Sequence, residues 1–331
     1  MTAPERIEPR TFELPLAEAF VIVTLDGVRW REIFEGTDAD LAAPAEVPRK
    51  SAAALMPTLS RWMTADGASI GAPGRAEISA SGPNFVSLPG YFEIFSGRSP
   101  SACQSNSCGD IAEATLFDDV DAQYSGEPVA VVSSWEAIAH AASGNPASHM
   151  LLSTGRVRSR GLPAAWLAEA SNANPWPGGG EYRPDALTGP IALRVLQAAQ
   201  PKAMFIGLGD TDEYAHHGDY AGYLRALESA DAFLSRLETT LAAMGERGAR
   251  TAVFVTCDHG RSSGFKDHGG AWAESARVWL VAHGSGIGAR GAVDAGRPVR
   301  LADIAATARE LIGASPDTDA RAGRPIEALL P

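Results

Sequence analysis

At 331 residues, 45% of them apolar and 21% charged, the chain has the composition of an ordinary soluble globule long enough to bury a full α/β core. A net charge of −12 argues against a nucleic-acid backbone, which wants a basic stripe, as the main partner, although a small anion can still bind wherever metal ions supply positive charge. Three cysteines are too few for a disulfide scaffold, and without a C-x-x-C pair they do not form a thiolate zinc site.

Residues 1–18 carry Glu5, Arg6, Glu8, Arg10, Glu13 and Glu18 with three prolines, which is not the pattern of a signal peptide. The apolar run Ala19 to Leu25 is too short to cross a bilayer. The expectation is a cytoplasmic protein with no membrane contact, or a periplasmic or secreted one if a leader has been trimmed away.

In chain order, Phe20–Leu25 (FVIVTL) is a continuous β-branched run ending in Asp26-Gly27, the pattern of a buried parallel strand and its loop. Pro57 suits the first turn of a helix through TLSRWMTADG, closing on Gly67. Residues 99 to 185 are rich in Gly, Ser, Asn and Pro and end in SNANPWPGGGEYRP. They are read as a loop-rich part of one domain spanning 1–331, a small cap or insertion beside the site, with a strand at Val129–Val132. Within them, Cys103 and Cys108 are spaced to close a short loop if the protein meets an oxidising compartment. A helix follows over Pro184–Ala199, then a strand over Ala203–Leu208 (AMFIGL) ending in Gly209-Asp210. Tyr220–Met244 places Tyr223, Leu224, Leu227, Ala230, Phe233, Leu234, Leu237 and Leu241 on one helical face. Thr251–Thr256 (TAVFVT) is a third buried strand, ending in Cys257-Asp258-His259, with Cys257 read as a small buried residue. Val278–Ala282 is a strand and Leu301–Ile312 a helix.

Each of the three buried strands delivers its polar residues just beyond its carboxyl end, the edge at which open α/β sheets bind ligands. Asp212 and His216 are four apart, so one helical turn puts both on one face. Asp258 and His259 are adjacent at a strand end, and His268 returns through the Gly-rich loop GRSSGFKDHGG. Taken singly, these pairs suit capping or turn residues. Together with Asp26 they make six nitrogen and carboxylate ligands at three strand ends, enough for two divalent ions. Ser87, in FVSLPGYFEIFSGR, is the hydroxyl they would face. Of the leftover groups, His217 is expected to point away from its neighbour His216, and His283 ends a strand at the same edge. Asp210 and Asp267 are candidates to orient ligand histidines, with Asp267 equally suited to a turn, and Lys266 and Arg261 are read as surface charges before contacts to a substrate anion.

In combination, the order D…S…D-x-x-x-H…D-H-G…H resembles the alkaline phosphatase superfamily, over roughly residues 19–100 and 200–315, and most closely its type I phosphodiesterase and nucleotide pyrophosphatase-like members. The resemblance implies a three-layer α/β/α sandwich around a largely parallel sheet. It implies that Asp26, Asp258 and His259 hold one metal, that Asp212, His216 and His268 hold the other, and that both ions are zinc or manganese. It implies that Ser87, opening a helix in SLPGYFEIFSGR, is the nucleophile, and that Asn106, nineteen residues on, donates to a phosphoryl oxygen. Sulfatases of the superfamily require Arg where Tyr91 stands, which argues against that activity; Gly90-Tyr91 also replaces the phosphodiesterases' Asn-His. The short interval from Asp258 to His268 is more like the phosphomutases, but 99–185 leaves little room for their cap. The implied function is a two-metal hydrolase of small anionic phosphate esters, diesters before monoesters or phosphonates, working through a phosphoseryl intermediate. The rivals from other classes are a phosphomutase-type isomerase and a catalytically silent metal-binding relative.

Overall fold

The computed structural model describes residues 15–331; most of the charged amino-terminal stretch lies outside them. Twelve strands occur among the described residues: β1 (Ala19–Leu25), β2 (Gly67–Ile70), β3 (Ile78–Ser79), β4 (Val129–Ser133), β5 (Leu151–Thr154), β6 (Arg158–Arg160), β7 (Ala203–Leu208), β8 (Thr251–Thr256), β9 (Arg277–Val278), β10 (Leu280–Gly284), β11 (Gly291–Ala292) and β12 (Val299–Arg300). Nine form one sheet in the order β11-β2-β10-β8-β1-β7-β4-β5-β6, and β12-β3-β9 form a small second one. β8, β1, β7, β4 and β5 are mutually parallel, and β10 and β6 run against their neighbours. Helices cover both faces, giving a three-layer α/β/α sandwich.

The strands predicted at 203–208 and 251–256 have those bounds, and every residue of β1, β7 and β8 is buried, as continuous apolar runs in a two-sided parallel sheet demand. Alternation puts Phe20, Ile22 and Phe205 on one face of the sheet. Phe95 of the Ser87–Ser96 helix meets Phe205 edge-on at 4.5 Å and Phe117 at 5.4 Å, and Phe117 in turn touches Phe20 at 6.1 Å. The Tyr220–Ala243 helix buries the apolar face read from its periodicity, and Asp219 caps its start through Gly222 N at 2.7 Å.

Two elements differ from expectation. The chain from Pro57 is α-helical only to Arg61 and closes through a wider turn at Trp62–Asp66 before Gly67 enters β2. The single strand expected at 278–282 is two, because the chain passes between sheets at Trp279: Val278 pairs with Ile78, whereas Leu280 pairs with Thr256 and Ile70. Trp279 is buried at the crossing and donates to Val28 O at 3.0 Å. Segment 99–185 is not separate from the sheet, since it supplies β4, β5 and β6. No helix among the described residues is long and apolar enough to cross a membrane.

Glu93, buried in the Ser87–Ser96 helix, accepts from Ser81 N at 2.8 Å, Ser81 Oγ at 2.6 Å and Ala302 N at 3.2 Å, tying three segments together. Burial pushes its carboxyl up to about 7 despite those donors. A raised carboxyl makes the folded state hold its proton longer than the unfolded chain does. The stability it contributes is therefore complete below the ordinary value of 4.5 and lost as pH rises through about 7, a difference on the order of 3 kcal/mol. Thermal melts from pH 5 to 8 should show a steeper fall in Tm for the wild type than for Glu93→Gln; parallel curves would mean that Glu93 is ionised throughout.

Candidate metal centre

β8, β1 and β7 are adjacent, so their carboxyl ends bring the predicted ligands together. Asp26 follows β1, and Asp258 and His259 follow β8; their ligand atoms form one group within 4.8 Å of one another. Asp212, His216 and His268 form a second such group. Asp212 and His216 lie on the Asp210–His216 helix after β7, with His216 Nε2 3.0 Å from Asp212 Oδ2. The rings of His259 and His268 stack at 3.9 Å, joining the two groups.

Ser87 is at the first turn of its helix, after Val86, and is 5% exposed. Its Oγ lies 3.2 Å from His259 Nε2, in the first group. Asn106, exposed, projects from the 103–108 loop, and its Oδ1 accepts from Leu88 N at 2.9 Å. Cys103 and Cys108 are bridged, which closes that loop, and Cys257 is free and buried.

These residues fit a pair of divalent cations. Asp26 Oδ1 and Asp258 Oδ2 are buried and accept no hydrogen bond, an arrangement that is costly until a cation satisfies it. Burial first, then repulsion from Asp258 and Asp212, holds Asp26 well above the usual carboxylate range, and Asp258 is pushed up to about 7. Both histidines at the junction are pushed down to about 4, chiefly by burial, so they are neutral near pH 7 and offer lone pairs. Which nitrogen faces the site is set by carbonyls: His259 Nδ1 lies 2.9 Å from Gly260 O, and His268 Nδ1 lies 3.1 Å from Phe85 O. Each ring thus turns Nε2 inward, and His268 Nε2 comes 3.1 Å from His216 Nε2. A proton on His216 satisfies one of its neighbours; a divalent ion satisfies all three ligands. A nitrogen and oxygen set without thiolate suits zinc or manganese.

Several contributors were not assigned from sequence. Tyr91 donates to Asp26 Oδ2 at 2.7 Å, and Gly27 N donates to Asp258 Oδ1 at 3.1 Å. Arg261 is not a surface charge but fully buried: Nη1 pairs with Asp212, and Nε and Nη2 donate to Phe265 O and Lys266 O at 2.7 and 3.1 Å. Burial would raise Asp212, yet Arg261 and then His216 hold it well below the carboxylate range. Asp185, 25 residues before Asp210, accepts from Gly209 N at 2.8 Å and Asp210 N at 3.0 Å, pinning the turn that leads to Asp212 and His216.

The leftover residues fall as follows. Asp210 accepts from Tyr182 at 2.7 Å and orients no histidine. Asp267 is exposed, and its carbonyl closes a turn with Ser262 N at 2.8 Å. His217 points away as expected, its Nε2 3.0 Å from Pro177 O and its ring stacked on Trp176. His283 is not at the site's edge, because β10 is antiparallel: it pairs with Val253 in the middle of β8 and stacks on Trp62 at 4.8 Å.

Residues 188–316, which hold five of the six candidate ligands, match the family model described as the Metalloenzyme superfamily. No curated protein matches by sequence. A mutant of the alkaline phosphatase PafA is similar in structure, with TM-score 0.62 and 14% identity over 97% of this chain and 100% of that one. The phosphonate monoester hydrolase of Agrobacterium radiobacter gives 0.60 and 16% over 94% and 77%, and a 2-O GAG sulfatase gives 0.63 and 13% over 95% and 74%. The fold is that of alkaline phosphatase-like structures, and the metalloenzyme family model matched over residues 188–316 agrees with the motifs there.

Because the orphan carboxylates sit at the heart of the fold, ions at both groups should raise stability. Zinc or manganese added to chelator-treated protein should raise Tm by several degrees, with two ions per chain by elemental analysis; saturation at about a thousandfold above Kd corresponds to about 4 kcal/mol. Asp258→Asn should lose one ion and most of the rise, and an unchanged Tm in the wild type would contradict the ligand assignment.

Proposed function

We propose that the protein is a two-metal hydrolase of phosphate esters, with phosphodiesters as its preferred substrates and Ser87 as its nucleophile. The observation that carries this reading is the Ser87 hydroxyl, 3.2 Å from His259 Nε2 beside two orphaned carboxylate oxygens. Asp26, Asp258 and His259 would hold one ion and Asp212, His216 and His268 the other. Such a pair supplies charge that lowers the pKa of a nearby hydroxyl and offsets charge on phosphoryl oxygens.

The chain's own groups do the rest. Ser87 loses its proton to solvent and its oxygen bonds to phosphorus as the ester oxygen leaves. Water then cleaves the phosphoseryl ester and regenerates the hydroxyl. Asn106 accepts from Leu88 N with its oxygen, so its NH2 group, which has no partner among the described residues, is held beside the helix start to donate to a phosphoryl oxygen.

Charge supports diesters over monoesters. A monoester brings an additional negative charge and needs an additional cation. Arg261 is committed to Asp212 and two carbonyls, which leaves only exposed Lys266 on that loop. Sulfatase chemistry is disfavoured because Tyr91 occupies the required arginine's position and is bound to Asp26.

The deciding measurement is kcat/KM for a phosphodiester against the matching monoester, with zinc and then manganese. The diester should be preferred, and a monoester preference would overturn the charge argument. Ser87→Ala should lose at least about a thousandfold in kcat, and Asn106→Ala about a hundredfold with Tm unchanged; full turnover by Ser87→Ala would remove the covalent step. Replacing Cys103 and Cys108 by serine frees the loop that presents Asn106. It should lower diester kcat/KM by about tenfold, and this loss should vanish in the Asn106→Ala background.

A further inference from the structure

A second cationic site lies on the outer side of the loop that carries Arg261. A cavity of about 190 Å³ is bounded by residues 29–31, which follow β1, by residues 261–263, which follow β8, and by Glu274 and Arg277. Four of its lining residues are arginines and one is an acid. Two of the arginines are already neutralised: Arg29 by Glu32 and Asp38, and Arg261 by Asp212.

The other two are held more loosely, Arg277 by an ion pair at the surface and Arg31, which is exposed, by none among the described residues. Arg277 lies over the Trp30 ring at 3.8 Å. Its nearest carboxylate, Glu77, is 3.6 Å away on a side chain that is 67% exposed, and its Nη2 reaches Gly71 O only at 3.5 Å. Its Nε is buried with no acceptor. Arg31 approaches the same indole at 5.2 Å and has no carboxylate within ion-pair distance among the described residues. The hydroxyls of Ser262, which is buried, and Ser263 make no side-chain hydrogen bond there either. Glu274, the one acid, is exposed and pairs with neither arginine.

We infer that this cavity is a binding site for an oxyanion, separate from the metal pair and built from Arg31, Arg277, Ser262 and Ser263 beside Trp30. A phosphate, sulfate or carboxylate group presents only acceptors, which suits the unpaired Arg31, the loosely paired Arg277 and two hydroxyls without side-chain partners. A cation would meet two guanidinium groups and only one lining acid, Glu274, which pairs with neither. The Trp30 ring lies against the Arg277 guanidinium at 3.8 Å, a cation–π contact that restrains it beside the cavity. The anion is either a free ion or a remote acidic group of the metal centre's substrate. Arg261, which lines the cavity and also holds Asp212, joins the two sites.

The test is equilibrium dialysis of the metal-loaded protein with labelled inorganic phosphate. The wild type should bind one phosphate more per chain than Arg31→Gln/Arg277→Gln, and that increment should persist after the metals are chelated. Affinity at this site should fall at least about tenfold in each single variant. If Arg277→Gln lowers Tm, Arg31→Gln and Ser262→Ala/Ser263→Ala carry the test, because both leave the contact between Trp30 and Arg277 in place. Equal phosphate stoichiometry in the wild type and the double variant would overturn the proposal, whatever the enzyme's activity. A second arm locates the anion's source: kcat/KM for a diester bearing a remote carboxylate, relative to its neutral analogue. Selective loss in the double variant identifies a substrate group, and an unchanged ratio with phosphate still bound identifies a free-ion site.

Discussion

Three aspartates brought together at the ends of adjacent buried strands are the constraint around which this structure is organised. Asp26, Asp212 and Asp258 repel one another in a region of low dielectric, and burial raises two of them well above the carboxylate range. Only Asp212 has a permanent cation, Arg261. The other two are restrained by single hydrogen bonds from Tyr91 and Gly27, each leaving one oxygen with no partner. Such a cluster is unfavourable for an isolated chain and favourable once positive charge enters, so the metals complete the fold as well as the site.

Backbone, rather than side chain, permits the crowding. Gly27 adopts φ +60°, and a Cβ there would lie 2.5 Å from Asp212 Oδ1. Gly90 lies so close to the loop after β8 that a Cβ would meet Asp258 O at 2.4 Å. The first glycine lets the ends of β1 and β7 converge. The second lets the Ser87–Ser96 helix press onto β8, which carries the Ser87 hydroxyl to His259. The position of Ser87 is thus a packing result, secured by the aromatic contacts of Phe95 and Tyr91 with Phe205 beneath.

Much of this was legible in the sequence because the strands are two-sided and continuous: an apolar run that stops at Asp-Gly, Gly-Asp or Cys-Asp-His announces both a strand and the edge where its ligands emerge. What could not be read were contacts whose partners are remote in the chain or depend on strand direction. Asp185 grips the turn at Gly209 from across a helix, with no motif to mark it. His283 looked like a residue of the active edge until β10 proved antiparallel, which moved it to the middle of β8. Arg261 looked like a loop charge, since spacing alone does not show that a loop folds back over its own arginine and buries it against Asp212.

The departure at Gly90-Tyr91 gains a physical meaning from this geometry. Gly90 is the residue that tolerates the contact with Asp258, and Tyr91, one position on, turns its hydroxyl to Asp26. Burial and the nearby aspartates push that phenol well above its ordinary value, so it stays a donor at any pH the fold survives. A neutral donor steadies one oxygen of Asp26 without discharging it, and the other oxygen keeps the full negative charge that a divalent ion requires. An arginine at the same position would neutralise Asp26 and compete with the metal for it. The tyrosine therefore leaves the cation's place at Asp26 to the metal, which is the arrangement a metal-activated serine needs.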